Sequence, residues 1–185
     1  MQEFSRIFTL TLPILIPGII LIVVLKLKWL CFLDFPLDLG ESLGGKRIFG
    51  NNKTIRGFAV MMIMAIAVAY FLNLELMNNL SLFIHPIFNK SPVIIGIIYS
   101  ISYTVGELIN SFIKRRLNIF SGQLNKSFIK LQTFFDLSDG IIFVALLLWL
   151  IFSISFFEIL PAVLIGIFLH LVTDYLMKQL HLKYS

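Results

Sequence analysis

The sequence predicts an all-α integral membrane protein with about five transmembrane helices and two long cytoplasmic loops, and three observations lead to this prediction. Of 185 residues, 58% are hydrophobic and 14% are charged, whereas a soluble domain carries about 25% charged residues. The apolar residues form blocks long enough to cross a hydrocarbon core of about 30 Å as helices. All but two of the 15 Lys and Arg residues fall on one side of the predicted membrane.

Five blocks are predicted to span the membrane: Ile7–Leu25, Ile55–Leu72, Val93–Ile113, Gly140–Phe157 and Ile159–Met177. Each must be helical, because lipid offers no partner for an unpaired backbone N–H or C=O group. Pro13, Pro17 and Gly18 predict a kink or break in the first block. That block runs directly into a lysine without a small-residue cleavage site, so we expect a retained span rather than a signal peptide. We expect a short turn containing Glu158 and Pro161 between the last two spans.

The distribution of basic residues predicts the orientation of the chain. Arg6 and Lys90 lie on one side, and the other Lys and Arg residues lie in the connections Lys26–Thr54 and Lys114–Asp139, at Arg56 at the start of the second span, or after the last span. The positive-inside rule therefore places the N-terminus outside and the C-terminus in the cytoplasm. The whole chain, 1–185, is expected to form one transmembrane domain. Nothing resembles a soluble Arg- and aromatic-rich surface, so we expect no nucleic-acid partner.

The second long connection mixes apolar and basic side chains: Phe128, Ile129, Leu131, Phe134 and Phe135 with Lys126 and Lys130. This pattern is typical of a segment that lies at the headgroup boundary. Such a segment serves either as an interfacial anchor or as a flap over a site.

The third block carries a polar stripe at helical spacing: Ser100, Tyr103, Thr104, Glu107, Asn110, Ser111 and Lys114. An ionisable residue such as Glu107 is costly within a span and usually faces a bundle interior or a water-filled cavity. The hydroxyl groups and Asn110 could simply hold helices together. The proximity of Glu107 to the cationic run Lys114–Arg116 instead favours a functional site.

Asp136 and Asp139 stand at the predicted start of the fourth span. If they occupy the first helical turn, both carboxylates project to one side. Paired carboxylates suit Mg²⁺, which binds through one or two of them together with substrate phosphates. The alternative is an N-cap with a first-turn acid that complements the helix dipole.

The first long connection is rich in glycine between Gly44 and Gly57 and carries Lys53 and Arg56 at the start of the second span. Glycines let a backbone approach a ligand closely, and a helix N-terminus directs N–H groups at anions. These features predict a phosphate-binding loop, although the P-loop spacing is absent. The alternative is a flexible, positively charged loop.

The last span contains His170, Thr173 and Asp174 on one face. A His–Asp pair at this spacing can bind metal or relay protons, or it can form an internal hydrogen bond near a helix end. Together with Glu107, these residues suggest an alternative function as a small transporter or channel subunit. The clustering of polar residues at one membrane face argues against that alternative.

Three polar motifs, in order, resemble those of the CDP-archaeol synthase family, a branch of the CDP-diacylglycerol synthase group of membrane cytidylyltransferases. Gly44–Phe58 is similar to the family stretch Gly-Arg-Arg-x-Leu-Gly-Asp-x-Lys-Thr-x-Arg-Gly-Phe. Gly106–Leu117 resembles its Gly-Asp-x-x-x-Ser-Phe-x-Lys-Arg-Arg segment, and Phe135–Asp139 contains its Asp-x-x-Asp pair. His170–Lys183 looks like the family's C-terminal helix, so the resemblance runs from about Pro36 onward.

Three positions depart from the family pattern. Glu107 and Asn51 each stand where the family has Asp, and Pro36–Gly40 only approximates the family's Pro-Ile-Asp-Gly-Gly. These departures add a further hypothesis, in which the chain is a catalytically inactive relative that acts as a scaffold.

The resemblance implies transfer of CMP from CTP to a membrane lipid phosphate, giving a CDP-lipid of the CDP-archaeol or CDP-diacylglycerol type and pyrophosphate. On this hypothesis the catalytic residues are Glu107, Asp136, Asp139 and Lys114, and the first three bind Mg²⁺. The residues expected to bind the nucleotide or the lipid phosphate are Lys53, Thr54, Arg56, Asn51, Arg115, Ser111 and Asp38. The expected partners are CTP, the lipid phosphate and the bilayer. A homodimer is the alternative to a single chain.

Overall fold

The computed structural model describes residues 1–78, 81–123 and 128–180. Within these residues lie six α-helices: α1 Gln2–Thr9, α2 Leu12–Lys26, α3 Ile55–Met77, α4 Pro92–Arg116, α5 Ile129–Phe152 and α6 Phe156–Gln179. The connections contain two 3₁₀ turns, Cys31–Leu33 and Pro86–Asn89, and an antiparallel hairpin of β1 Ser42–Leu43 and β2 Lys46–Arg47. Helices α3 to α6 are each long and apolar enough to cross a membrane, and α1 with α2 can form a fifth, bent span. The predicted fold class is confirmed.

The first span is bent by 51° between α1 and α2. The break at Leu10 and Thr11 comes before the predicted prolines. Its position follows from Pro13, because a proline ring clashes with the carbonyl of the residue four positions earlier. That residue is Thr9, where α1 ends. Pro17 lies inside α2, which continues past it.

The centre of the bundle is formed by α3 and α4, with α2 packed on α3 and α5 packed on α4. The helices α3 and α4 approach closely at Gly96, where a Cβ atom would lie 2.4 Å from the Cα of Ile66. Around this contact, Ala65, Ala69 and Ile95 are fully buried. Small residues at a helix interface allow such close backbone contact in membranes.

The fourth span begins at Ile129 rather than at the predicted Gly140. The mixed apolar and basic segment contains no helix breaker, so the helix continues beyond the apolar block. Residues 129–135 of this segment form the first turns of α5, and their position at the headgroup boundary stays a prediction; Lys126 lies outside the described residues. Asp136 and Asp139 lie inside the helix, so the N-cap alternative for them is wrong.

The turn between the last two spans was also predicted wrongly. It consists of Ser153–Ser155, and Glu158 and Pro161 lie inside α6. Helix α5 ends because Ser153 adopts a left-handed backbone with a φ of 52°. Ser155 then starts α6, since its hydroxyl accepts a hydrogen bond from the backbone N–H of Phe157 at 3.3 Å. No residue of α6 is buried, so this helix is the outermost of the bundle.

The ends of α2, α4 and α6 and the starts of α3 and α5 lie together, and we call this end of the bundle the basic end. A hydrogen bond from Lys26 Nζ to the carbonyl oxygen of Leu180, at 3.1 Å, joins the ends of α2 and α6 there. Lys183, which also belongs to the predicted basic side, lies outside the described residues. The basic end carries every residue of the predicted site.

Candidate active site

A cavity of about 560 Å³ opens among the helices and reaches the basic end. Its polar lining includes Asn51, Lys53, Thr54, Arg56, Glu107, Asn110, Ser111, Lys114, Arg115, Asp136, Asp139, His170 and Asp174. A second, apolar part of the lining is contributed by α2, α5 and α6, including Leu15, Leu21, Val144, Leu148, Ala162 and Leu169. The structure therefore brings together every predicted site residue except Asp38.

The stripe on α4 faces this cavity, as its spacing predicts. Glu107 accepts an ion-paired hydrogen bond from Lys53, with an Nζ to Oε2 distance of 2.6 Å. This contact joins the first loop to the middle of the α4 stripe. Ser111, one turn further along α4, is 4% exposed and also lines the cavity.

The two aspartates of α5 meet the α4 stripe at Asn110. The Nδ2 atom of Asn110 donates to Asp136 Oδ1 and to Asp139 Oδ2, each at 2.7 Å. Lys114 Nζ lies 2.5 Å from the same Asp136 oxygen. Asp136 and Asp139 thus lie side by side, and Asp136 forms an ion pair with Lys114. Asn110 entered the sequence analysis only as part of the stripe, and its bridging role is a tertiary contact that spacing along one helix does not reveal.

Gly106 sets the distance between α4 and α5. A Cβ atom at this position would lie 2.5 Å from the carbonyl oxygen of Asp139, so only glycine permits the observed approach. Gly106 was not among the predicted residues of the active site. A signal was available, because small residues within membrane helices mark places where helices touch.

The acidic side chains fit a two-carboxylate magnesium site better than the predicted three-carboxylate one. Among the described residues, no group of three Asp, Glu, His or Cys side chains is placed to hold one metal ion. Glu107 pairs with Lys53, as Asp136 does with Lys114. Asp136 and Asp139 share a hydrogen-bond donor and line the cavity. A pair of this kind suits Mg²⁺ when substrate phosphates and water complete its coordination.

Two arginines at the end of α4 hold the first loop in place. Arg115 lines the cavity, but its Nε donates to the carbonyl oxygen of Phe49 at 3.0 Å. The Arg116 guanidinium lies 4.9 Å from the ring centroid of Phe112. It donates to the carbonyl oxygens of Leu43, Lys46 and Arg47. These contacts with the first loop were not predicted from the sequence, and Arg115 was predicted only as a phosphate ligand.

Asp38 organises the first loop from inside. Its side chain is fully buried, at 0% exposed, and it accepts hydrogen bonds from Arg47 and from the backbone N–H groups of Gly40, Phe49 and Gly50. Burial alone would raise the pKa of Asp38, but these hydrogen bonds hold the pKa far below its ordinary value. The position of Asp38 does not support its predicted role in ligand binding.

Asn51 lines the cavity, and its Oδ1 atom accepts a hydrogen bond from Arg47 at 2.9 Å.

Replacing Asp38 by Asn is expected to loosen this loop, because an amide NH₂ group would have to face N–H donors. The expected cost is about 1–3 kcal/mol of stability. Trypsin should then cleave the variant faster after Lys46 and Arg47. The exposed Glu41→Gln in the same loop is the control, and equal cleavage of the two variants would contradict this role of Asp38. In the wild type the contribution is present at neutral pH and is lost only in acid, because the folded pKa lies below the unfolded one.

The start of α3 supplies a second wall of the site. The hydroxyl of Thr54 accepts a hydrogen bond from the backbone N–H of Gly57 at 3.2 Å and so caps the helix. Lys53 and Arg56 flank this cap, and both line the cavity. The helix N-terminus and two cations therefore create positive potential on this wall.

His170 and Asp174 reach the same cavity from α6. His170 Nδ1 lies 2.9 Å from the carbonyl oxygen of Leu137 on α5. Asp174 forms an ion pair with Lys178 at 3.0 Å. The three residues named for a permeation path, including Glu107, therefore belong to one cavity at the basic end of the bundle.

The family model for CarS-like CDP-archaeol synthase matches residues 7–185. The CDP-archaeol synthase of Pyrobaculum aerophilum is 30% identical over 85% of this chain and 83% of the relative. The CDP-archaeol synthase of Pyrobaculum islandicum is 32% identical over 80% of this chain and 79% of the relative. For the synthase of Pyrobaculum arsenaticum, also 32% identical, the match spans 50% of this chain and 47% of the relative.

A solved structure of an intramembrane enzyme for archaeal membrane lipids biosynthesis has the same fold. It superposes with a TM-score of 0.59 over 89% of this chain and 92% of that one, at 21% identity. The family match extends over the first loop, the α4 stripe and the aspartate pair of α5. The chain belongs to the CDP-archaeol synthase family and is an integral membrane cytidylyltransferase.

Proposed function

We propose that this protein transfers CMP from CTP to the phosphate of a membrane lipid, forming a CDP-lipid and releasing pyrophosphate. The observation that carries the proposal is the convergence of Lys53, Lys114 and the pair of Asp136 and Asp139 on one cavity. The apolar part of the same cavity gives room for lipid chains beside the polar groups. The family membership favours an archaeol-type diether glycerol phosphate as the lipid substrate.

The reaction needs no covalent enzyme intermediate. An oxygen of the lipid phosphate attacks the α-phosphorus of CTP and forms a new P–O bond. The bond from the α-phosphorus to the oxygen that bridges to the β-phosphorus breaks, and pyrophosphate leaves with that electron pair. Positioning of the two phosphates and neutralisation of their charge are then the main contributions of the protein.

Lysines supply much of this neutralisation. In the structure, Lys53 and Lys114 are held by Glu107 and Asp136, which position their ammonium groups at the cavity wall. A Mg²⁺ ion held by Asp136 and Asp139 would add positive charge at the phosphate oxygens. Glu107 pairs with the Lys53 ammonium group and directs it into the site, a task for which Glu is as suitable as Asp. The departure from the family pattern at this position is therefore compatible with activity.

The basic end is proposed to face the cytoplasm, with the N-terminus outside. The positive-inside rule supports this orientation, because the basic end carries the ends of α2 and α4 with their lysine and arginine residues. CTP is a cytoplasmic metabolite, so its phosphates would enter from that side. The lipid phosphate lies at the same depth, in the headgroup region of the inner leaflet.

A direct assay tests the proposed reaction. Purified protein is incubated with labelled CTP, Mg²⁺ and one lipid phosphate at a time, from diether glycerol, diacylglycerol and polyprenyl classes. We expect label to appear in a CDP-lipid, with the diether glycerol phosphate as the best substrate and with equimolar pyrophosphate. Reactions with the unphosphorylated lipid or with EDTA serve as controls. Absence of labelled lipid with every substrate would contradict the proposal and would favour the scaffold hypothesis.

A further inference from the structure

Arg56 is a buried cation with an unused hydrogen-bond donor. Its side chain is 9% exposed and lines the cavity. Its Nε atom is buried and has no hydrogen-bond partner among the described residues. An N–H group buried without an acceptor is unfavourable, because it has lost its hydrogen bonds to water. The position therefore indicates an acceptor that arrives with a ligand.

The remaining contacts of Arg56 leave much of its charge available. Nη2 lies 3.0 Å from Asp34 Oδ1, but the Asp34 side chain is 45% exposed, so solvent screens this pair. The contacts of Nη1 are long, at 3.5 Å to the carbonyl oxygen of Trp29 and 3.8 Å to the Sγ of Cys31. Lys53 and Lys114, in contrast, pair with less exposed carboxylates at 2.6 and 2.5 Å.

Arg56 also differs from Lys114 in its location. Its contacts are with Trp29, Cys31 and Asp34, which follow the end of α2. Lys114 binds Asp136, on the α4–α5 side of the cavity. Arg56 therefore lies near the end of α2, a helix that provides apolar lining at Leu21 and Leu25, where lipid chains would be held.

The surroundings of this wall match the depth of lipid headgroups. Trp29, Phe32 and Phe35 are 58%, 70% and 58% exposed. Exposed aromatic residues near a helix end are typical of the membrane–water interface. An anion that approaches Arg56 from this side is therefore at the depth of a lipid phosphate.

We propose that Arg56 binds the phosphate monoester of the lipid substrate, whereas Lys53 and Lys114 bind the triphosphate of CTP. This assignment of the three cations to two substrates rests on the proposed nucleotidyl transfer. The Arg56 Nε–H group donates to a phosphate oxygen of the lipid and its charge attracts the dianion, so the attacking oxygen is held beside the CTP site. A guanidinium offers this directed donor together with a permanent charge, and a lysine ammonium does not.

The test compares Arg56→Gln and Arg56→Lys with the control Lys28→Gln. Lys28 is exposed near the same end of α2 and does not line the cavity. Initial rates are measured with varied diether glycerol phosphate at saturating CTP, and with varied CTP at saturating lipid. We expect Arg56→Gln to raise the KM for the lipid about 10- to 100-fold, the equivalent of one charged hydrogen bond. The KM for CTP should stay unchanged, Arg56→Lys should fall between, and Lys28→Gln should match the wild type.

A binding measurement without CTP separates this inference from the reaction itself. Equilibrium binding of labelled diether glycerol phosphate is compared with that of the uncharged diether glycerol. The wild type should prefer the phosphate, and Arg56→Gln should lose that preference; Arg56→Lys gives the same comparison if the Gln variant does not elute as a folded protein. A rise in the KM for CTP equal to that for lipid, or an unchanged lipid preference, would overturn the inference. Failure of the wild type to form CDP-lipid would overturn the proposed function instead.

Discussion

Asp139→Asn is expected to abolish Mg²⁺-dependent CDP-lipid formation while the protein stays folded. The amide oxygen can still accept the hydrogen bond that Asp139 Oδ2 receives from Asn110 at 2.7 Å, so the contact of α4 with α5 should persist although the hydrogen bond from the Gly140 N–H to Oδ1 within α5 is lost. The negative charge that pairs with Asp136 at the proposed metal site is lost. A loss of several kcal/mol of charge stabilisation corresponds to turnover slower by roughly 10³-fold. The measurement is the rate of CMP transfer, together with Mg²⁺-dependent binding of CTP.

The control for this variant removes an acidic charge elsewhere. Glu3 is exposed in α1, at the opposite end of the bundle, and Glu3→Gln should turn over like the wild type. Both variants should elute from gel filtration in detergent as the wild type does. Near-normal turnover of Asp139→Asn would show that this carboxylate does not support the reaction.

Gly106→Ala should lower activity through the position of α5 rather than through lost charge. The added methyl group would lie 2.5 Å from the carbonyl oxygen of Asp139, so the two backbones must separate. A shift of about 1 Å in a catalytic group can cost about 10²-fold in rate. We therefore expect a loss of about that size in turnover, together with a lower melting temperature in detergent.

Gly96→Ala is the matched control for this effect. Its Cβ would lie 2.4 Å from the backbone of Ile66, so it strains the α3–α4 contact by a similar amount. Gly96 does not line the cavity. Gly96→Ala should therefore lower the melting temperature comparably but retain much more activity per folded molecule. Equal activity losses in the two variants would mean that general loosening of the bundle, and not the position of Asp139, explains the Gly106 result.

The spans were predictable because lipid permits few structures. A backbone in hydrocarbon must bond to itself, so a long apolar block can be little else than a helix. Helix ends were less predictable, since they depend on the polar residues next to each block. At Ile129 the helix starts well before the apolar block, whereas at Phe152 it stops early because Ser153 turns the chain. Hydropathy describes the membrane core and says little about such extensions.

The composition of the site was predictable from the order of the polar motifs, but the partners of each side chain were not. Spacing on α4 placed Glu107 and Lys114 on one face. It did not show that Asn110 joins two aspartates of α5, because that contact depends on how the two helices pack. Asp38 illustrates the opposite case. Its motif suggested a ligand-binding residue, yet the folded loop surrounds it with N–H groups of its own.

Helix α6 contributes wall residues to the cavity although none of its residues is buried within the protein. Much of its surface is therefore open to the surrounding membrane. The tilt of a helix in this situation responds to bilayer thickness as well as to its neighbours. We therefore expect annular lipids to support the outer wall of the cavity, and the shape of that cavity to depend on the membrane as well as on the polypeptide.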